Sequence, residues 1–185
     1  MRRSVALLAG GMLAALVSAQ DEGRIMAPVD RAAFAEGPIR VLASAPEGKL
    51  LLDGKEIPAE QPFPNVLQAS VNPGPGEHLL RLAWEGGQRD VRFHSGPNAP
   101  PEFSPYREHP PVATECIHCH GLSRRGRFRF SGGCFSCHQQ ETFSAKHTHP
   151  PGQLEQCGMC HNAHGSTAAA LLLHPKETAC KLCHN

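Results

Sequence analysis

The chain repeats one chemically distinctive pattern four times after residue 115: two cysteines separated by two residues and followed at once by histidine. Two thiols and an imidazole in one short turn are the attachment signature of c-type haem, where the thiols add to the vinyl groups and the imidazole binds the iron. Four haem c groups are therefore predicted. The predicted covalent attachment residues are Cys116, Cys119, Cys134, Cys137, Cys157, Cys160, Cys180 and Cys183. The predicted proximal iron ligands are His120, His138, His161 and His184.

Zinc and disulfides are the alternative uses of these cysteines. Paired Cys-x-x-Cys units also build tetrahedral four-thiolate zinc sites, but two such sites leave the histidine after every pair without a role. Eight cysteines in an exported protein would ordinarily predict four disulfides, whereas their regular pairing with histidine argues for haem. A redox dithiol of the thioredoxin type needs one such pair at a helix start, not four in series.

The C-terminal stretch resembles multihaem c-type cytochromes with a doubled CxxCH motif. Residues 149–185 contain, in the family's order, His-x-Pro, Cys-x-x-Cys-His-x-x-His-Gly-Ser, a Leu-Leu run and a second Cys-x-x-Cys-His. His-Pro-Pro also stands before the first motif, at His109. With this internal repeat, the resemblance implies a tetrahaem cytochrome c domain at 109–185, made of two dihaem modules at about 109–148 and 149–185.

The second axial ligand of each iron decides between electron transfer and reaction with a small molecule. Once a leader is removed, only Met26 and Met159 remain as thioether ligands, so four methionine-ligated haems are impossible. Histidine is plentiful, because eight of the twelve histidines do not follow a cysteine pair. We therefore expect histidine on both sides of each iron. The distal candidates are His109, His147, His149 and His164.

Different observations favour these four candidates. His109 and His149 occupy matching places in the repeat, and His164 matches the family's His-Gly-Ser position. His147 lies nine residues beyond His138, across a segment that could turn back. His149 and His164 are expected to serve the second module and His147 the first, although spacing does not fix which iron each one binds. His118 and His174 are second-choice candidates for distal iron ligands.

The chain opens with the pattern of a secretory leader. Two arginines precede an apolar run from Val5 to Val17, and the small residues that end at Ala19 fit a signal-peptidase site. A cleaved signal peptide is predicted at 1–19. The apolar run is shorter than the roughly 20 residues that a membrane-spanning helix needs. We expect an exported protein, periplasmic or extracellular, with no transmembrane anchor.

Residues 20–95 contain no cysteine and have the turn pattern of a small β domain. Asp53-Gly54 predicts one two-residue hairpin, and a second is predicted within 78–94, turning at Gly86-Gly87. Five or six strands fit, which predicts a small all-β, immunoglobulin-like sandwich. The order of hairpins resembles PEGA-type β modules. His78 and His94 are expected to be ordinary strand residues; the alternative is that one binds a haem in another copy of the chain.

Two shorter segments also carry structural expectations. Residues 96–108 are rich in proline and predict a semi-rigid, extended linker. The Ala-Leu run at 168–173 predicts one helix with Ser166 as its N-cap. Few other large apolar residues follow the linker, so the porphyrins are expected to form the core of the C-terminal half.

These features predict an electron carrier in a respiratory chain rather than an enzyme. The 18 lysines and arginines fall to 16 when Arg2 and Arg3 leave with the leader, against 17 acidic residues, which gives no reason to expect nucleic acid as a partner. The expected partners are redox proteins, with copies of the chain in a cytochrome filament as a further option. The alternatives are a multihaem reductase with one open haem site and, less favoured, a haem-based gas sensor.

Overall fold

The computed structural model describes residues 23–109, 115–126, 128–130, 134–138 and 157–184. The predicted signal peptide lies outside the described residues, as do His147 and His149. Strands dominate the described part and its helices are short. The strands are β1 Arg24–Ala27, β2 Ala32–Phe34, β3 Ile39–Ser44, β4 Lys49–Leu52, β5 Lys55–Glu56, β6 Glu60–Phe63, β7 Val66–Val71, β8 Gly76–Trp84, β9 Gly87–Ser95, β10 Ser104–Pro105, β11 His120–Leu122 and β12 Phe128–Phe130.

The N-terminal half is a two-sheet β structure, as predicted. One sheet has the order β1-β3-β7-β6 and the other β10-β2-β9-β8-β4-β5. Both sheets contribute to one apolar core, with Val41 of β3, Leu82 of β8 and Phe93 of β9 completely buried. The described strands of this half number ten rather than five or six. Several of the additional strands have only two to four residues, too few to show an alternating pattern in the sequence.

Both predicted hairpins are present. The β4–β5 hairpin turns at Asp53-Gly54, whose φ angles of 51° and 80° are the positive values that such a turn requires. In the β8–β9 hairpin Trp84 pairs with Gly87, so the turn residues are Glu85 and Gly86, one position earlier than predicted. The Trp84 ring explains Gly86, because a Cβ there would lie 2.8 Å from the indole Nε1.

The four-stranded sheet has a second face that points away from the core. Alternate residues of a strand face opposite sides, so Arg40 and Leu42 of β3 lie opposite the core residues Ile39 and Val41. Cross-strand register extends this face to the neighbouring strands. We call it the outer sheet face; its residues include Arg24, Arg40, Leu42, Phe63, Val66 and Gln68.

The segment predicted as a linker is partly built into the β domain. Ser104 and Pro105 form β10, which pairs in parallel with β2. Phe103 is buried, and the Tyr106 ring packs against Phe34 with 4.8 Å between the ring centroids. These aromatic rings fasten the end of the proline-rich segment to the sheet, because burying them removes apolar surface from water.

The prediction of a helix at 168–173 is wrong. Only a single 3₁₀ turn, Ala169–Leu171, is present, and both Ala170 and Leu171 have left-handed φ angles, 53° and 55°. Ser166 does not cap a helix; its hydroxyl accepts a hydrogen bond from the Ala168 N–H and donates one to the Leu172 carbonyl. The Leu-Leu run therefore folds back toward the preceding cysteine motif instead of continuing as a helix.

Candidate functional site

The four cysteine motifs have the same local fold. Each begins with a 3₁₀ turn, at Cys116–His118, Cys134–Ser136, Cys157–Met159 and Cys180–Leu182. In each turn the N–H of the second cysteine donates to the carbonyl of the first, over 3.1 to 3.3 Å. All eight cysteines lie in the described part, and none forms a disulfide. Each turn thus brings two thiols together on one short loop.

The histidine that ends each motif is held in one of two ways. In the last three motifs its N–H donates to the carbonyl of the first cysteine over 2.9 Å, so that the imidazole stays within the same turn. In the first motif His120 begins β11 and pairs with Phe130 of β12. The Phe128 ring lies parallel to the His120 ring at 4.5 Å, with an interplanar angle of 20°. The first motif is therefore oriented by a small sheet rather than by its turn alone.

A backbone carbonyl orients the ring of His161. The imidazole Nδ1 hydrogen bonds to the Ala170 carbonyl over 2.8 Å, which the left-handed residues of the folded-back Leu-Leu run make possible. Because this hydrogen bond occupies Nδ1 as a donor, Nε2 is left as the lone-pair nitrogen. Such second-shell bonds fix the tautomer and the orientation of metal-binding histidines.

His164 lies next to His120 rather than within its own module. The ring centroids of the two imidazoles are 6.0 Å apart and their planes are inclined by only 14°. His164 was expected to serve the second module, but the structure brings it beside the proximal histidine of the first motif. The two modules are therefore interleaved at this point.

The β domain fixes the position of His164. The Tyr106 hydroxyl donates to the His164 carbonyl over 2.9 Å. Next to it, Arg107 and Ser166 exchange two backbone hydrogen bonds of 2.8 and 2.9 Å, an isolated antiparallel bridge. Sequence reasoning missed Tyr106 and Arg107, which lie in the proline-rich segment; the only signal was two aromatic residues and one arginine among the prolines.

Gly165 is required at this docking point. Its φ of +129° suits glycine, and a Cβ on it would lie 2.1 Å from the Tyr106 hydroxyl oxygen. The glycine of the His-Gly-Ser sequence therefore has a physical role, because it lets the chain carrying His164 approach the phenol ring.

A second pair of histidines lies in the first module. The rings of His109 and His138 have centroids 5.9 Å apart and planes that are nearly perpendicular, at 81°. His109 thus lies beside the proximal histidine of the second motif, not of the first motif that it precedes in the sequence.

Both spacings fit one metal ion between two imidazoles. Two imidazoles that bind a metal from opposite sides, with metal–nitrogen bonds of about 2.0 Å, have ring centres about 6 Å apart. The two histidine pairs therefore have the separation that bis-histidine ligation of an iron requires.

Electrostatics keeps the His164 and His120 rings neutral, the form that binds a metal. Burial lowers the pKa of His164 to about 4, with smaller contributions in the same direction from His120, Arg40 and Arg24. Burial also lowers the pKa of His120, against a hydrogen bond with the Arg129 backbone. Burial raises the pKa of the Cys134 thiol, and its hydrogen bond with Cys157 raises it as well.

The remaining histidines are placed differently. His78 hydrogen bonds through Nδ1 to Asp53 and through Nε2 to the Gly74 carbonyl, both over 2.8 Å. His94 is buried in β9, and its ring centroid lies 5.8 Å from that of Phe103. His78 and His94 are thus strand residues, as expected. His118 lies 3.5 Å from Glu115, and His174 is exposed.

Comparison with known families identifies the C-terminal stretch. The family model of the doubled CXXCH motif matches residues 149–185. This is the haem-attachment motif of c-type cytochromes. The doubled CXXCH motif indicates covalently bound haem c and an electron-transfer protein. A search of curated protein sequences finds no match to the chain.

Solved structures with some similarity include the FMN-binding beta-glucuronidase of Facaelibacterium prausnitzii, at 16% identity and a TM-score of 0.36 over 44% of this chain. The fibronectin(III)-like modules of Clostridium thermocellum CbhA have 15% identity and a TM-score of 0.33 over 40% of this chain. The chain spans 13% of the first of these and 96% of the second.

In the part of the chain that the structure describes, no helix has the length and apolar character needed to cross a membrane.

Proposed function

We propose that the chain is an exported tetrahaem c-type cytochrome that carries electrons, with histidine on both sides of each iron. The observation that carries this proposal is the pair of imidazole spacings, 6.0 Å for His120–His164 and 5.9 Å for His109–His138. In both pairs a histidine of a CxxCH motif meets a histidine that sequence reasoning selected as a distal ligand.

The two pairs support an assignment of ligands to two of the four proposed haems. The haem of the first motif takes His120 and His164, and the haem of the second takes His138 and His109. His161 and His184 are the proximal ligands of the other two. His147 and His149 are the remaining distal candidates, and they lie outside the described residues.

This ligand set suits electron transfer. Haem c, when bound, supplies an iron that gains or loses one electron. With two imidazoles holding its iron, a haem here would have no place for a substrate, and little rearrangement would accompany each electron. Contacts within the chain position two of these imidazoles: Tyr106 bonds to the backbone of His164, and Phe128 packs on the His120 ring.

The proposed partners are redox proteins with basic surfaces. The chain without its leader is close to neutral, and each haem adds two propionates, so the holoprotein is more acidic than its sequence. Hydrogen bonds within the chain occupy both nitrogens of His78, which argues against that residue as a ligand for another copy's haem.

Spectroscopy of the purified ferric protein tests the proposal. Mass spectrometry should find four covalently attached haems, and electron paramagnetic resonance should find only low-spin bis-histidine signals. A high-spin ferric fraction in the intact protein, or binding of carbon monoxide to the reduced protein, would indicate an open site and a reductase or a sensor instead.

A further inference from the structure

The outer sheet face is covered, although it points away from the core of the β domain. Leu42 of β3 and Val66 of β7 lie on this face, and each is only 5% exposed. Their neighbours Val41 and Leu67 belong to the core cluster on the other side. A face whose apolar residues are buried on the side away from the core must pack against another part of the protein.

The first haem motif contacts this face. The Cys116 thiol lies 3.9 Å from the side-chain oxygen of Gln68. The Phe63 ring stacks on Phe128 at 4.3 Å, and Phe128 in turn stacks on His120 at 4.5 Å. Cys116 of the first motif thus contacts the outer sheet face directly, and His120 contacts it through the Phe128 ring.

Two arginines bring positive charge to the same face. Arg24 pairs with Ser44 of β3, and Arg40 lies four residues before Ser44, so the two arginines are separated by about 13 Å along the strands. Arg40 pairs with Ser70 of β7 and lies two residues from the covered Leu42 on the same face. Gln68, which contacts Cys116, pairs with that Leu42. Arg40 therefore lies next to the part of the face that the first motif contacts.

We propose that the outer sheet face is one wall of the pocket for the first motif's haem and that Arg40 neutralises a propionate of that haem. The inference rests on the proposed function, because it requires a haem between His120 and His164. A guanidinium pairs with a carboxylate through two parallel hydrogen bonds, which makes arginine well suited to this role. The β domain is then a part of the haem site rather than a separate docking module.

Loss of the Arg40 charge has a definite electrochemical consequence. An uncompensated propionate stabilises the ferric state, so the midpoint potential of this haem falls. The propionate also becomes easier to protonate, since an opposite charge nearby favours the ionised form. The potential of this haem then depends more strongly on pH.

The matched pair for the test is Arg40→Gln and Arg92→Gln, studied as full-length holoproteins by spectroelectrochemical titration at several pH values. Arg92 lies on β9 in the other sheet and is half exposed. Arg40→Gln should lower one of the four potentials and increase its pH dependence, whereas Arg92→Gln should change none. Four unchanged potentials in Arg40→Gln would overturn the Arg40 assignment.

A second pair of variants tests the position of the haem without touching Arg40. Gln68→Glu adds a negative charge beside Cys116 and should lower the same potential, while Gln88→Glu, on β9 of the other sheet, should not. No shift in Gln68→Glu would mean that the first haem does not face this sheet.

Arg40→Lys covers the case in which Arg40→Gln does not yield folded holoprotein. Lysine keeps the positive charge but lacks the planar guanidinium group that binds a carboxylate through two hydrogen bonds. The midpoint potential of the first haem should therefore shift in the same direction as in Arg40→Gln, but by less. An unchanged potential and pH dependence in Arg40→Lys would then overturn the assignment. Haem count by mass and the low-spin spectrum of the wild type report on the proposed function separately from these shifts.

Discussion

The imidazoles of His120 and His164 lie 6.0 Å apart in nearly parallel planes, although they belong to different cysteine modules. His164 follows the third motif in the sequence, yet it meets the proximal histidine of the first. If the two rings share one iron, that iron cross-links the chain between its first and second modules. The Tyr106 hydrogen bond to the His164 carbonyl adds the β domain to the same junction.

His164→Ala should leave four haems attached, because the cysteines are unchanged, but convert one from low-spin to high-spin or to a weakly ligated form. Mass spectrometry and electron paramagnetic resonance measure the two effects. His174→Ala is the matched control, since His174 is exposed and should leave the spectrum unchanged. A fully low-spin His164→Ala protein would remove His164 from the ligand set.

Gly165→Ala should displace His164 without removing it. The new methyl group would meet the Tyr106 hydroxyl at 2.1 Å, and the φ of +129° adds a backbone cost of about 1 to 3 kcal/mol. Thermal melting should show a lower Tm, and the spectrum a high-spin fraction. Gly126→Ala is the control, because Gly126 also has positive φ but has open space around its Cβ position. Equal spectra for the two variants would show that contact with Tyr106 does not position His164.

Phe128→Ala should loosen the first motif from the β domain. Phe128 stacks on both Phe63 and His120, and two aromatic contacts contribute about 1 to 3 kcal/mol together. The free energy of unfolding should fall by that amount, as measured by denaturant titration of the holoprotein. Phe130→Ala is the comparison, because the Phe130 ring meets His120 edge-on at 5.9 Å and is 54% exposed. A loss as large in Phe130→Ala would contradict the stacking role of Phe128.

Tyr106 should make stability sensitive to alkaline pH. Burial raises the pKa of the phenol above its ordinary value of 10, with the charge of Glu108 adding to the effect. The folded state thus holds its proton at a pH where the unfolded chain releases it, and stability falls as pH rises above about 10. Denaturant titrations at pH 8 to 11 measure this fall.

Tyr106→Phe is the control for the alkaline effect. It removes the titrating group and should flatten the fall, at the cost of about 1 kcal/mol for the hydrogen bond lost at neutral pH. A fall of the same size in Tyr106→Phe would show that another group is responsible.

The sequence by itself determined the local chemistry. Each Cys-x-x-Cys-His motif closes as one 3₁₀ turn, and Asp53-Gly54 turns its hairpin, because both depend on residues that are neighbours in the chain. The all-β character of residues 24–95 followed from turn residues and alternating apolar positions for the same reason. Where tertiary contacts override local propensity, prediction failed: the Ala-Leu run at 168–173 gave no helix, since its carbonyl at Ala170 bonds to the His161 ring.

Only the tertiary structure decided which distant residues meet. Spacing selected His109 and His164 as distal candidates but could not assign them to His138 and His120. The His164–His120 pairing depends on how the two modules interleave, and the His109–His138 pairing depends on how the first module folds. The proline-rich segment gave no sign that Tyr106 and Arg107 would bind the turn that carries His164. Likewise, the outer sheet face has no sequence signature, since burial of Leu42 and Val66 away from the core requires a covering surface from elsewhere in the chain. Contacts across long sequence separations depend on packing, which local patterns do not encode.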